Sequence, residues 1–130
     1  ACAQALLAAY EGAHVAGMEA AQLFREAKLP RLEAFELHCV AVWKLLDEDA
    51  EGAAVSADDA LELYAQEQGP CRRDEAAVLQ TLVRAYCASK EFKRALEAAS
   101  DSLERFQEFG DSKAEATALE MMAFALSQSG

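Results

Sequence analysis

The stretch Glu75–Asp111, EAAVLQTLVRAYCASKEFKRALEAASDSLERFQEFGD, holds two helical patterns separated by a short polar break. In the first, Leu79, Leu82, Val83 and Tyr86 fall 3, 4 and 7 residues apart, placing bulky apolar side chains on one helical stripe. In the second, Ala95, Ala99 and Ser102 precede Phe106 by 11, 7 and 4 residues. That is again one stripe, now of small side chains ending on an aromatic. Small side chains let a neighbouring helix approach closely, as an antiparallel helical hairpin requires. Gly110 then stands where a helix should stop.

The pattern recurs along the chain. Glu33-Ala34, Glu75-Ala76 and Glu115-Ala116 are separated by 42 and 40 residues, and Phe24, Tyr64 and Phe106 by 40 and 42. The register slips only near the connector Gln68-Gly69-Pro70-Cys71. The small residues keep step: Ala13, Ala53 and Ala95; Gly17, Ala57 and Ala99; Ala20, Ala60 and Ser102. So do the bulky ones, with Leu37, Val40 and Ala41 earlier in the chain and Leu119, Met122, Ala123 and Leu126 later. The spacing predicts helices over 31–46, 52–68, 72–88, 91–109 and 112–129. Residues 12–28 read as the second helix of an earlier unit, whose first helix leaves its tail over 1–9. The units run roughly over 1–30, 31–70, 71–111 and 112–130, one all-α region of about three repeats. By this register both terminal repeats are incomplete, so the chain is expected to be a fragment of a longer solenoid.

Composition points the same way. Of 130 residues, 53% are hydrophobic, Gly numbers 6 and Pro 2, Ile is absent, and Thr occurs only as Thr81 and Thr117. Strands favour β-branched and aromatic residues, so an Ala-, Leu- and Glu-rich chain reads as helix. A net charge of −11 argues against nucleic acid, whose phosphates need clustered Lys and Arg, and against an anionic membrane surface. The longest apolar runs, Ala5–Tyr10 and Met121–Leu126, are far short of the ~20 residues needed to span a bilayer. Cys2, Cys39, Cys71 and Cys87 form no paired spacing, and His14 and His38 are the only histidines, so no structural zinc site is offered. A helical chain of this size needs no disulfide, which favours a reducing intracellular compartment.

The run Glu75-Ala76, Leu79, Leu82-Val83, Tyr86, Phe92, Ala95, Ala99, Ser102, Phe106, Gly110-Asp111 resembles a tetratricopeptide repeat of the longer, ~40-residue kind used by kinesin light chains. The junction Glu104–Asp111 followed by Lys113-Ala114-Glu115-Ala116 is similar to that subclass as well. Lys44 departs from the pattern where Tyr or Leu is expected, and Ala50 takes the place that Tyr10 and Phe92 fill in the flanking units. The resemblance implies a right-handed α-solenoid whose first helices line a concave groove. By register that groove takes Phe35, His38, Val42 and Leu45 from one unit. The next gives Ala77, Gln80, Arg84 and Cys87, and the last Thr117, Glu120, Phe124 and Ser127.

No phosphate-binding loop, His-Glu-x-x-His or Gly-x-Ser-x-Gly pattern occurs. Asp47-Glu48-Asp49-Ala50-Glu51-Gly52 imitates the start of a calcium loop. Its ninth and twelfth positions are Val55 and Asp58, and the repeat register wants Ala53 on a helix, so it reads as a solvated turn. His38 and Cys39 are adjacent, hence about 100° apart on a helix. The chain therefore reads as a non-enzymatic scaffold without cofactor or metal, part of a larger protein or assembly. With Arg84 as its only basic residue, the groove suits an apolar or amphipathic protein segment rather than a carboxylate terminus. The acidic outer helices, carrying Asp58, Asp59, Glu62, Glu97, Asp101, Glu104 and Glu108, suit solvent or a basic neighbour. The alternative is a ligand-sensing regulatory region attached to an effector domain.

Overall fold

The computed structural model describes residues 2–66 and 72–130, the side chains of residues 2–11 and 14 excepted. Its elements are α1 (Cys2–Glu26), α2 (Pro30–Leu46), α3 (Ala50–Gln66), α4 (Arg72–Ala88), α5 (Phe92–Phe109) and α6 (Ser112–Ser129), with no strand among the described residues. The predicted connector 68–71 lies outside the described residues. Each helix packs on the next in sequence, α4 also touches α2 and α6, and α1, α3 and α5 make no mutual contact among the described residues.

The four described connections share one turn geometry. Lys28, Glu48, Lys90 and Gly110 adopt the left-handed conformation, with φ of 60°, 62°, 62° and 68°. The following residue donates its amide back to the carbonyl five positions earlier: Leu29 to Phe24, Asp49 to Lys44, Glu91 to Tyr86 and Asp111 to Phe106, at 2.7–3.2 Å. Its own carbonyl then accepts from the next helix, at Glu33, Ala53, Ala95 and Glu115 respectively. One residue thus ends one helix and starts another, which makes each hairpin tight. Asp111 adds a side-chain cap to the Ala114 amide (3.1 Å), and Asp49 one to Gly52 (3.0 Å). The Asp49 cap starts α3 at Ala50, two residues before the predicted boundary.

A Cβ in the left-handed region costs roughly 1–2 kcal/mol, which glycine avoids. Lys90→Gly is therefore expected to raise stability by about 1 kcal/mol, and Gly110→Ala to lower it by a similar amount. Urea unfolding of the two variants checks both signs.

The small-residue stripes lie inside. Ala53, Ala57, Ala60, Ala95 and Ala99 are fully buried, Ser102 nearly so, and Tyr64 and Phe106 close the two stripes from within the core. Opposite them stand Leu37, Val40 and Ala41 on α2 and Leu79, Leu82 and Val83 on α4, all buried. At Gly17 a Cβ would sit 2.6 Å from the Val40 Cγ2, so α1 and α2 meet where only glycine fits. α4 is shared between two clusters: Val78, Leu82 and Ala85 join the α2–α3 core, while Leu79, Val83 and Cys87 join the α5–α6 core.

α1 differs from its prediction. It is one 25-residue helix, without a break between 9 and 12. A lone glycine in helix costs only about 1 kcal/mol against alanine, and no proline stands near Gly12 to enforce a stop. Lys44, the departure noted on α2, is half-buried and its Nζ donates to Ser56 Oγ at 3.3 Å, giving that buried hydroxyl a partner.

The period-marking glutamates are structural. Glu33 is buried and accepts from Arg25 Nε at 2.8 Å. Glu75, 1% exposed, receives both Arg105 Nε (3.0 Å) and Nη2 (3.1 Å), while the same Nη2 donates to the Ala65 carbonyl at 2.7 Å. Arg105 thereby joins the end of α3, the start of α4 and the body of α5. Its guanidinium lies 5.0 Å from the Phe109 ring centre, and that of Arg72 lies 3.9 Å from it.

Candidate functional site

An apolar candidate surface lies on α2. Turned away from the buried Leu37, Val40 and Ala41, that helix exposes Leu32, Phe35, Val42 and Leu46 to between 37% and 58%. Their spacings of 3, 7 and 4 put all four on one stripe. Phe35, His38, Cys39, Val42 and Trp43 line a cavity of about 260 Å³ with a strongly apolar wall. Of the groove residues expected from the sequence, the structure brings Phe35, His38 and Val42 together here.

The others are dispersed. Leu45 packs against the α2–α3 core and Phe124 against the α5–α6 core. Cys87 is buried at 8% exposure and lies inside the α5–α6 core rather than on an open face. Gln80 is half-buried and, with Thr117, Arg73, Asp111, Lys113 and the alanines Ala76, Ala77 and Ala114, lines a cavity of about 480 Å³ between α4 and α6 whose wall is part polar and part apolar. Arg84 and Glu120 stand exposed.

His38 ties α2 to α4. Its Nε2 lies 2.8 Å from Thr81 Oγ1, and the Thr81 hydroxyl donates to the Ala77 carbonyl at 3.5 Å. The threonine oxygen is then left to accept from His38 Nε2–H. Burial pushes the His38 pKa below its ordinary 6.5, although nearby Asp74 pulls the other way. The folded chain thus prefers neutral His38. Its contribution to stability is complete above pH 6.5 and is lost as pH falls, because the unfolded histidine then binds the proton more tightly. An NMR titration should place the His38 midpoint below 6.5; a midpoint above it would contradict this placement.

Neighbouring chemistry is muted. Burial raises the Cys39 pKa, and Glu36 raises it further; burial raises that of Cys87. Both thiols are free and are held in the protonated, poorly nucleophilic form. In Asp47–Gly52 the calcium-loop imitation forms the α2–α3 turn and the start of α3, helical from Ala50 onward, with the Asp49 carboxylate used as a cap. No group of three or more metal-ligating side chains occurs among the described residues. No helix among them is long and apolar enough to cross a membrane.

A second surface is acidic. Glu51, Asp58, Asp59 and Glu91 line a cavity of about 410 Å³ with Tyr86 and Arg94. Burial, then Glu62 and Asp59, raise the Asp58 pKa, and burial, then Asp58, raise that of Tyr86. Sequence reasoning missed Leu32 and Leu46. Their stripe was present in the sequence, offset from the core stripe by a fraction of a turn. Comparison with protein families and with curated proteins finds no family and no relative that matches the chain.

Proposed function

We propose that the chain is a tetratricopeptide-like scaffold, a right-handed α-solenoid that holds an apolar or amphipathic protein segment and performs no catalysis of its own. The observation that carries this reading is the exposed apolar stripe Leu32, Phe35, Val42 and Leu46 beside the cavity at His38. Isolated exposed apolar side chains are ordinary, but an aligned stripe with a cavity in it marks a contact surface. The packing supports the curvature such a scaffold needs. α2, α4 and α6 approach one another in series while α1, α3 and α5 do not, so the first set lines the inner side and the second the outer. A segment laid along the inner side meets apolar α2 first and then the mixed polar and apolar cavity between α4 and α6, which suits an amphipathic ligand. The chain is then one part of a larger protein or assembly.

A second reading is carried by the acidic cavity at Asp58. Like charges and burial there favour a proton, and a basic neighbour would relieve the same strain.

The test uses peptide ligands selected on the intact chain from a random display library. Phe35→Ala should weaken the selected ligands by more than ~5-fold, the usual effect of removing a contact anchor, with the melting temperature unchanged. Glu97→Lys on exposed α5 should leave affinity as it was. If ligands ignore Phe35→Ala and are lost on Glu97→Lys, the acidic surface is the working one and the groove reading fails.

A further inference from the structure

His38 serves two structures at once. Its ring forms part of the apolar wall that Phe35, Cys39, Val42 and Trp43 complete, and its Nε2 is committed to Thr81 on α4, 2.8 Å away. With Nε2–H donating to the threonine oxygen, any further proton must enter at Nδ1. Among the described residues no side-chain nitrogen or oxygen is both buried and without a partner, so Nδ1, which has none, is open to water. That water is what makes a proton on His38 tolerable within an apolar wall.

The charges around the ring act unequally. α2 packs against α1, α3 and α4. Asp74, at the start of α4, is the group whose charge reaches His38, and it favours the proton against a larger opposing effect of burial. Among the described residues no charged group of α1 or α3 acts on the ring, and Glu36 on α2 itself acts on Cys39 instead. The Cys39 thiol, the other titratable side chain of the wall, is pushed above its ordinary 9.0 and stays neutral through the acidic range. A response of this cavity to acid therefore belongs to His38.

We propose that the α2 face is a pH-gated binding surface, which holds its apolar protein segment while His38 is neutral and releases it when the ring takes up a proton at Nδ1. A segment seated over the cavity displaces the water at the ring and offers apolar surface in return. The bound state then disfavours the imidazolium more than the free state does. Binding expels the proton, and by reciprocity the proton expels the segment. Burial already holds the His38 pKa below 6.5 in the free chain, and the bound segment lowers it again. Affinity is constant above the free-chain midpoint and falls as pH drops through it, by at most about tenfold per unit for one proton. The inference rests on the proposed groove and adds the condition under which it empties.

The experiment uses peptides with blocked termini, selected on the intact chain at about pH 7.5. Those kept lose affinity on Phe35→Ala and contain no His, Asp or Glu. Their affinity is measured from that pH downward, beside an NMR titration of His38 in the free and the peptide-saturated chain. One unit below the free-chain midpoint, affinity should be about tenfold lower than at the starting pH. The same peptides should bind His38→Gln without that fall, because glutamine keeps a donor for Thr81 and does not titrate. Asp74→Asn should shift the fall to lower pH, because it removes the charge that favours the proton. In the saturated chain the His38 midpoint should lie below that of the free chain. An affinity that stays constant through the free-chain midpoint would overturn the proposal and leave the groove reading standing. An equal fall in His38→Gln, or a His38 midpoint that saturation leaves in place or raises, would do the same. If no selected peptide depends on Phe35, the groove itself fails and the gate with it.

Discussion

Arg105→Ala should destabilise the chain by about 3–5 kcal/mol, the cost of leaving a buried carboxylate without its cation. Glu75 is 1% exposed and takes two hydrogen bonds from the guanidinium, so neither water nor a rotamer change offers an easy replacement. The same substitution removes the donor to the Ala65 carbonyl and one of two cations near the Phe109 ring. Arg105→Lys should recover only part of the loss, because a single ammonium cannot reproduce the two-pronged contact. Glu75→Gln should cost less than Arg105→Ala, since the charge it leaves behind, on Arg105, is 29% exposed where that of Glu75 is 1% exposed. Denaturant unfolding of the three variants gives the order. If Arg105→Ala were within ~1 kcal/mol of the unmodified chain, the pair would be behaving as a surface bridge.

Phe106→Ala should be of comparable size, about 3–5 kcal/mol, because the ring is fully buried where the small-residue stripe of α5 meets α4 and α6. Six of the ten other buried residues of its cluster are alanines, which have no side-chain freedom with which to fill the void. Phe35→Ala removes the same atoms from a side chain 54% exposed and should cost little stability. The contrast between two phenylalanines separates core from contact surface within a single protein. Equal losses at the two positions would mean that Phe35 is packed in solution and unavailable to a ligand.

The hairpin logic was written in the residues. Stripes such as Ala95, Ala99, Ser102 and Leu79, Leu82, Val83 became buried because helical spacing fixes which side chains share a face. The turns were not legible. Three of the four left-handed positions hold Lys28, Glu48 and Lys90, residues with no preference for that conformation, and only Gly110 announced itself. Their geometry is imposed by the packing of the helices on either side, and local sequence carries no trace of it. The continuity of α1 was missed for a related reason: one glycine weakens a helix without ending it, and the register invited a break that the backbone does not make.

Of the candidate groove, register placed Phe35, His38 and Val42 beside one cavity, because residues on one face of α2 stay together whatever surrounds them. It misplaced Cys87, since a single helix of the middle unit is packed on several sides and has less open surface than an outer one. The Glu75–Arg105 pair joins residues 30 positions apart, and nothing short of the folded hairpin brings them together. The repeat of Glu33, Glu75 and Glu115 was visible as a period, but its reason is the arginine that two of the three receive.

On the proposed function, the α2 face holds a protein segment while the acidic outer helices face solvent. The most direct measurement places a photo-cross-linking amino acid at position 35 in one variant and at position 97 in another, each irradiated in extract of cells expressing the chain. A discrete protein adduct is expected from position 35, competed by the peptides selected on the unmodified chain, and none from position 97. An adduct from position 97 alone, or none from position 35, would contradict it.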